Sequence, residues 1–199
     1  MEEGDIAMMR TFHPKYERVS YDIFAGEFYV TKDQSILIST LLGSCVAVCL
    51  RDSIAGISGM NHYMLPWKND LQSITQMNDG RYGYFALDYM IQKMVQQGAN
   101  PNKLEAKIFG GGRIMDKSSS QISEQNVRFA KAYLEMHRIP VLVDQTGGFI
   151  GRRIFMFPDT FHVEVRTIEK YDGREPVEID KPVGVERTRR TIGDVGKTS

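Results

Sequence analysis

Apolar and polar positions alternate from Tyr21 to Val30 well enough to predict a strand, and Ser35 to Thr40 is a second short apolar strand running into Gly43-Ser44. The next segment, Val46-Ala47-Val48-Cys49-Leu50, is apolar throughout, so periodicity fits a buried strand or a short helical segment equally. Ala55 to Asn61 carries the chain to His62, and Pro66-Trp67-Lys68-Asn69-Asp70 opens a polar connection that runs to Gly80. Tyr84, Leu87, Ile91, Met94 and Val95 then recur at helical spacing and predict a helix over 81–97, stopped by Gly98 before Asn100-Pro101. Lys103 to Phe109 reads as a strand leading into Gly110-Gly111-Gly112. Val127, Ala130 and Leu134 mark one face of a second helix over 123–137, ended by Pro140. Short strands follow at 141–144, 153–157 and 162–168. Strands interleaved with two helices predict an α/β domain rather than an all-α one.

The periodic region spans 21–168 and reads as one domain. Residues 1–20 are polar and mixed, with His13-Pro14 interrupting any regular element, and are expected to form an N-terminal extension. From residue 169 the periodicity stops, charges of both signs intermix and Gly, Pro and Thr accumulate, the composition of a flexible tail. A chain of 199 residues with 42% hydrophobic content can bury one sizeable core.

Charge and cysteine usage narrow the function classes. Formal net charge is zero, which argues against nucleic-acid binding driven by bulk electrostatics. No apolar run approaches the ~20 residues of a membrane span, and the N-terminal stretch lacks the apolar core of a secretory signal. The expectation is a cytoplasmic chain with no membrane insertion. Cys45 and Cys49 are the two cysteines, four positions apart. On an extended strand that separation is about 13 Å, beyond disulfide reach.

Chemistry enters at Cys45. A thiol is a weak nucleophile until deprotonated, so a thiol hydrolase needs a base, a turn that exposes the sulfur, and N–H groups for the developing oxyanion. Gly43-Ser44 immediately before Cys45 has the composition of a sharp turn, whereas a cysteine that merely packs in a core is flanked more often by bulky apolar residues. His62 follows 17 positions later, bracketed by short apolar segments that read as a strand end. Cys49 sits in an apolar run with no base nearby and reads as a core residue. His13, His137 and His162 have no Cys, Asp or Glu at metal-ligand spacing, so no metal site is expected. The triple glycine after a strand lacks the Lys-Ser/Thr of a P-loop and does not fit the dinucleotide fingerprint, which favours a tight loop near the active site over a nucleotide site. Asn61 could polarise a substrate carbonyl or simply end a strand.

Leu41-Leu42-Gly43-Ser44-Cys45-Val46-Ala47-Val48-Cys49-Leu50-Arg51-Asp52, followed by Asn61-His62-Tyr63-Met64-Leu65-Pro66, resembles the signature of the CheD family, the chemoreceptor glutamine deamidases of bacterial chemotaxis. Further matches follow in order: Arg81-Tyr82-Gly83, Gly98-Ala99, Lys107-Ile108-Phe109-Gly110-Gly111-Gly112, Asn126-Val127, Asp144-Gln145-Thr146-Gly147-Gly148 and Gly151-Arg152-Arg153. The resemblance covers 21–168. It implies a β-sandwich core of mixed sheets flanked by helices, similar to the deamidating cytotoxic necrotizing factor toxins.

The resemblance also implies a reaction: hydrolysis of glutamine side chains to glutamate on methyl-accepting chemoreceptors, releasing ammonia through a thiolate and a thioester. Cys45 would be the nucleophile, His62 the base, and the N–H groups of the Gly43-Ser44-Cys45 turn the oxyanion donors, each worth ~3 kcal/mol. No cofactor is required. A hydroxyl should orient the imidazole. The family's residue six before the cysteine falls on Ser39, where many members carry threonine, and Thr40 is the neighbouring alternative; strand alternation allows only one to face the site. The resemblance favours Ser39, although serine lacks the methyl that fixes a threonine rotamer. The family also implies a CheC-type phosphatase as partner. Two other functions therefore stand beside deamidation: a regulatory binding module for that phosphatase, and a receptor methylesterase using the same thiol.

Overall fold

A computed structural model of the chain describes residues 9–64, 83–113, 117–168 and 178–179, with backbone alone for 117–120 and 178–179. Eleven strands and two α-helices, with one short 3-10 turn at Pro101–Lys103, are assigned among them. In chain order these are β1 (Met9–His13), β2 (Arg18–Asp22), β3 (Phe28–Thr31), β4 (Leu37–Leu42), β5 (Val46–Asp52), β6 (Ile57–Asn61), α1 (Gly83–Gln96), β7 (Leu104–Gly110), α2 (Lys117–Met136), β8 (Val141–Thr146), β9 (Gly151–Phe157), β10 (His162–Ile168) and β11 (Glu178–Ile179). The polar connection expected over 66–80 lies outside the described residues, as does most of the tail expected from 169.

Two mixed sheets form the body. One has the order β1-β2-β4-β9-β10-β11 and the other β3-β6-β5-β7-β8, with parallel pairs at β2/β4 and β7/β8 and antiparallel pairs elsewhere. Parity along the strands shows how they stack. Ile38 and Leu42 of β4, Ile154 and Met156 of β9 and Val163 and Val165 of β10 pack with Ala47 and Cys49 of β5, Met60 of β6 and Phe109 of β7, filling the space between the sheets. The other face of the second sheet, with Val46, Val48, Leu50, Ala106 and Ile108, packs on Ala86, Leu87, Met90 and Met94 of α1 and Ala130, Tyr133 and Leu134 of α2. The result is three layers: sheet, sheet, helices. The middle sheet is apolar on both faces, which is why β5 is apolar at every position from Val46 to Leu50 and why its sequence carried no period of two.

Several boundaries differ from the sequence expectation. The strand expected over 21–30 is two strands in different sheets, β2 and β3, separated by a turn at 24–27 in which Gly26 has φ 96°. The extension expected over 1–20 belongs to the first sheet from Met9 onward, because Thr11 pairs with Ser20 and Phe12 with Val19 in the β1–β2 hairpin. His13 accordingly stacks on Tyr16 and meets Phe155 edge-on. In α1 the buried stripe runs through Ala86 and Met90, leaving Tyr84 and Val95 at its exposed margin. The second helix starts at Lys117, six residues before the expected 123. Among the described residues no helix is long and apolar enough to cross a membrane.

Candidate functional site

The β5–β6 ladder places Cys45 and His62 on one face. Cys49 pairs with Met60 and Leu50 with Gly59, and the same register continues past β6 through the bridge Val46↔Tyr63, closed by two backbone hydrogen bonds of 3.0 Å. Extrapolated one step, it sets Ala47 opposite His62. Cys45 and Ala47 share a face by the period-two rule, so Cys45 is the diagonal neighbour of His62, ~7 Å away between backbones, a gap that an imidazole and a thiol can close. That face looks toward the first sheet, and the half-buried Cys45 packs against the inter-sheet core.

From the first sheet, Thr40 of β4 meets the imidazole. Its Oγ1 donates to the carbonyl of Ile23 at 2.7 Å and lies 2.7 Å from His62 Nδ1. The hydroxyl's one proton is engaged by Ile23, so Oγ1 accepts from Nδ1–H; this fixes the tautomer and leaves Nε2 as a bare acceptor. Nε2 is buried and has no hydrogen-bond partner among the described residues. Burial pulls the His62 pKa down from 6.5 to about 4, opposed in part by the Ile23 carbonyl, so the ring is neutral at neutral pH. The backbone of His62 is also tied down: its carbonyl accepts from Gly26 N–H at 2.7 Å and its N–H donates to Glu27 at 2.9 Å.

Ser39, favoured as the orienting hydroxyl, is not at the imidazole. Alternation along β4 sends Ile38, Thr40 and Leu42 into the inter-sheet core and Ser39 to the opposite face, where it pairs in register with Asp22 and its Oγ donates to the Asp22 carboxylate. Thr40, the alternative, makes the contact.

The Gly43-Ser44-Cys45 turn is held by its carbonyls. Gly112 N–H donates to Gly43 and Gly111 N–H to Cys45, both at 2.7 Å, while Asn126 Nδ2 donates to Ser44 at 3.2 Å. The triple glycine is thus the tight loop expected beside the site. Its composition has a steric cause: Gly110 has φ 105°, and a Cβ there would lie 2.2 Å from the Cys45 carbonyl oxygen. Gly147 N–H in turn donates to the Gly110 carbonyl, and Arg152 caps the carbonyls of Gln145 and Gly147, so a second loop braces the first. Burial raises the Cys45 pKa, and the Ser44 hydroxyl and the residue's own N–H pull it back. Thiol and neutral imidazole are the resting pair.

A family model described as CheD chemotactic sensory transduction matches residues 64–167, just over half of the chain. The curated relatives extend the match across the turn and the histidine. The chain is 38% identical over 161 residues to "Probable chemoreceptor glutamine deamidase CheD 1" of Shewanella oneidensis, covering 80% of this chain and 78% of the relative. The chain belongs to the CheD family. It is also 41% identical over 160 residues to "Probable chemoreceptor glutamine deamidase CheD" of Bordetella avium, covering 80% of this chain and 70% of that one. Among solved structures, Bacillus licheniformis hypothetical protein YfiH aligns with a TM-score of 0.36 at 13% identity, covering 60% of this chain and 50% of that one. A likeness that loose carries no structural argument.

The remaining residues of this CheD chain fall into place around the pair. Cys49 is fully buried in the inter-sheet core and its pKa is pushed up to about 12, the state of an inert packing thiol. Both cysteines are free. Asn61 is buried with its Oδ1 accepting from Val48 N–H at 2.9 Å, a strand-to-strand tie. His137 stacks on Tyr133, and His162 is exposed on β10. Among the described residues no group of three His, Cys, Asp or Glu is arranged to hold a metal. What the sequence reading missed is Asn126, buried on α2 beneath the turn; it was visible there only as one of the ordered matches.

Proposed function

We propose that this chain deamidates glutamine side chains on chemoreceptors, with Cys45 as nucleophile, His62 as base and Thr40 as the residue that orients the imidazole. The observation that carries the reading is the His62 ring, held through Nδ1 by Thr40, with an unpartnered Nε2 on the ladder face that also carries the Cys45 thiol. Membership of a family whose relatives are named chemoreceptor glutamine deamidase supplies the substrate class.

The reaction begins from thiol and imidazole rather than from a standing ion pair. Nε2 takes the thiol proton as Sγ attacks the carboxamide carbon, and the carbonyl oxygen becomes the oxyanion. N–H groups of the Gly43-Ser44-Cys45 turn receive it. The imidazolium returns its proton to the amide nitrogen, the C–N bond breaks and ammonia leaves a thioester. Water, deprotonated by Nε2, hydrolyses the thioester to glutamate and restores the thiol. New carboxylates on a receptor's signalling helices shift its conformational equilibrium and become sites for methylation.

Two exposed aromatic side chains on loops beside the site support a protein substrate. Phe24, 56% exposed, sits on the turn bonded to His62; Phe149, 74% exposed, sits on the loop that braces the triple glycine, with the Arg113 guanidinium 5.7 Å from its ring. The cytoplasmic setting, the CheC-type phosphatase partner and the architectural likeness to the cytotoxic necrotizing factor toxins belong to the same proposal and are supported by the resemblance alone.

The test is mass spectrometry of a chemoreceptor cytoplasmic fragment incubated with the wild-type chain or with Cys45→Ala. Glutamine-to-glutamate conversion with ammonia release by wild type only is the expected result. Conversion by the alanine variant, or none by folded, reduced wild type across several receptors, overturns the reading. Methanol release from methylated receptor would identify an esterase. Tight binding of a CheC-type phosphatase without hydrolysis would identify an adaptor.

A further inference from the structure

Asn126 lies on α2, fully buried, with both protons of its amide nitrogen used: Nδ2 donates to the Ser44 carbonyl at 3.2 Å and to the Met64 carbonyl at 3.1 Å. Those acceptors belong to different pieces of the site. Ser44 precedes Cys45, and Met64 lies two residues beyond His62 on the same strand extension. The link is reinforced from the strand side, because the buried Tyr63 hydroxyl donates to the backbone carbonyl of Asn126 at 2.7 Å. One residue of the helical layer thus ties the turn of the nucleophile to the strand of the base.

The Ser44 contact has a further effect through peptide planarity. Ser44 C=O and Cys45 N–H belong to one trans peptide and point in opposite directions. Drawing the carbonyl toward α2 turns the Cys45 N–H away from the helix, and that N–H lies against its own thiol. An oxyanion formed on a carbon bonded to Sγ would develop there. The α2 residues beside Asn126 hold the glycine loop that supports this turn: Ser123 Oγ donates to the Gly112 carbonyl at 3.1 Å, and a Cβ on Gly111 would strike Val127.

We propose that Asn126 is a positioning residue, setting the orientation of the Ser44–Cys45 peptide as oxyanion donor and its spacing from His62. This rests on the deamidase reading for its catalytic consequence, but the effect on the thiol does not.

The test compares the full-length wild-type chain with Asn126→Ala and with Asn126→Asp, which keeps the size and loses the donor. Three quantities are measured: deamidation kcat and KM, the pH profile of Cys45 alkylation by iodoacetamide resolved by peptide mass, and cooperative thermal unfolding. The expected result is a folded variant with kcat lower by about 10²-fold, the loss typical of one oxyanion donor, KM nearly unchanged, and an altered alkylation profile. If the alanine variant does not fold, the aspartate variant carries the comparison. A folded variant with wild-type kcat and an unaltered profile overturns the inference. If wild type itself releases no ammonia, the deamidase reading fails, and alkylation alone decides the inference: a changed profile sustains the positioning of the thiol, an unchanged one removes it.

Discussion

Thr40→Val keeps the branched shape of the side chain and removes the oxygen that accepts from His62 Nδ1–H, leaving that donor and the Ile23 carbonyl buried without their present partner. Such losses cost about 1–3 kcal/mol of stability. The activity loss is expected to be larger, about 10²-fold in kcat/KM, near the low end of what a well-placed general base contributes. Ser39→Ala is expected to leave the deamidation rate within about twofold, since its buried hydroxyl serves Asp22 on the face of β4 away from the imidazole, and the loss of that hydrogen bond falls on stability. Steady-state kinetics of the two variants side by side check the assignment, and equal losses would refute it. The sequence could not make this choice. Cysteine and histidine stood out because a small-residue turn and a strand end flanked them. Between Ser39 and Thr40, however, the neighbours Leu37, Ile38, Leu41 and Leu42 are apolar at both parities, so alternation gave no inside and outside. Both faces of β4 are largely buried, which erased the signal.

At the scale of elements, the Cys45 turn owes its shape to the end of β7 and the glycines that follow it. Gly110→Ala must place a Cβ 2.2 Å from the Cys45 carbonyl oxygen while holding φ at 105°. The backbone conformation alone costs about 1–3 kcal/mol for a residue with a side chain. Relief of the clash requires the Cys45 turn to move, so the prediction is a melting temperature several degrees lower together with a fall in kcat greater than at a comparably destabilising core site such as Leu134→Ala. Calorimetry and single-turnover deamidation on both variants separate the two effects. The glycine run was legible as a loop near the site because it lacked phosphate-binding companions. Other boundaries were not. The serines of Lys117-Ser118-Ser119-Ser120 carry no apolar period, so the first turns of α2 read as loop, and Glu27 between apolar residues made one strand of what the 24–27 turn divides between two sheets. That turn is what joins the backbone of His62 to the edge of the site.

The whole molecule places His62, the proposed base, inside the core, and this couples the proposed activity to stability through pH. A two-helix α/β domain was readable from the periodicities, but the three-layer stacking was not, because a middle sheet buried on both faces looks the same in sequence as a buried helical run. Its consequence is that His62 titrates between the two sheets rather than in solvent. With a folded pKa of about 4 against 6.5 unfolded, the unfolded chain binds the extra proton first as pH falls. Stability is therefore full above pH 6.5, declines as pH drops toward 4, and becomes insensitive to this group below that. The loss attributable to His62 is up to about 3 kcal/mol. Urea unfolding of the wild-type chain and of His62→Gln between pH 7 and pH 4 measures it. The variant is expected to be less stable at pH 7, where glutamine must bury an amide in the imidazole's place, and to lose less stability on acidification. Parallel pH profiles for the two proteins would mean that the imidazole is solvated when it titrates, and the picture of a neutral base sealed between the sheets would fail with it.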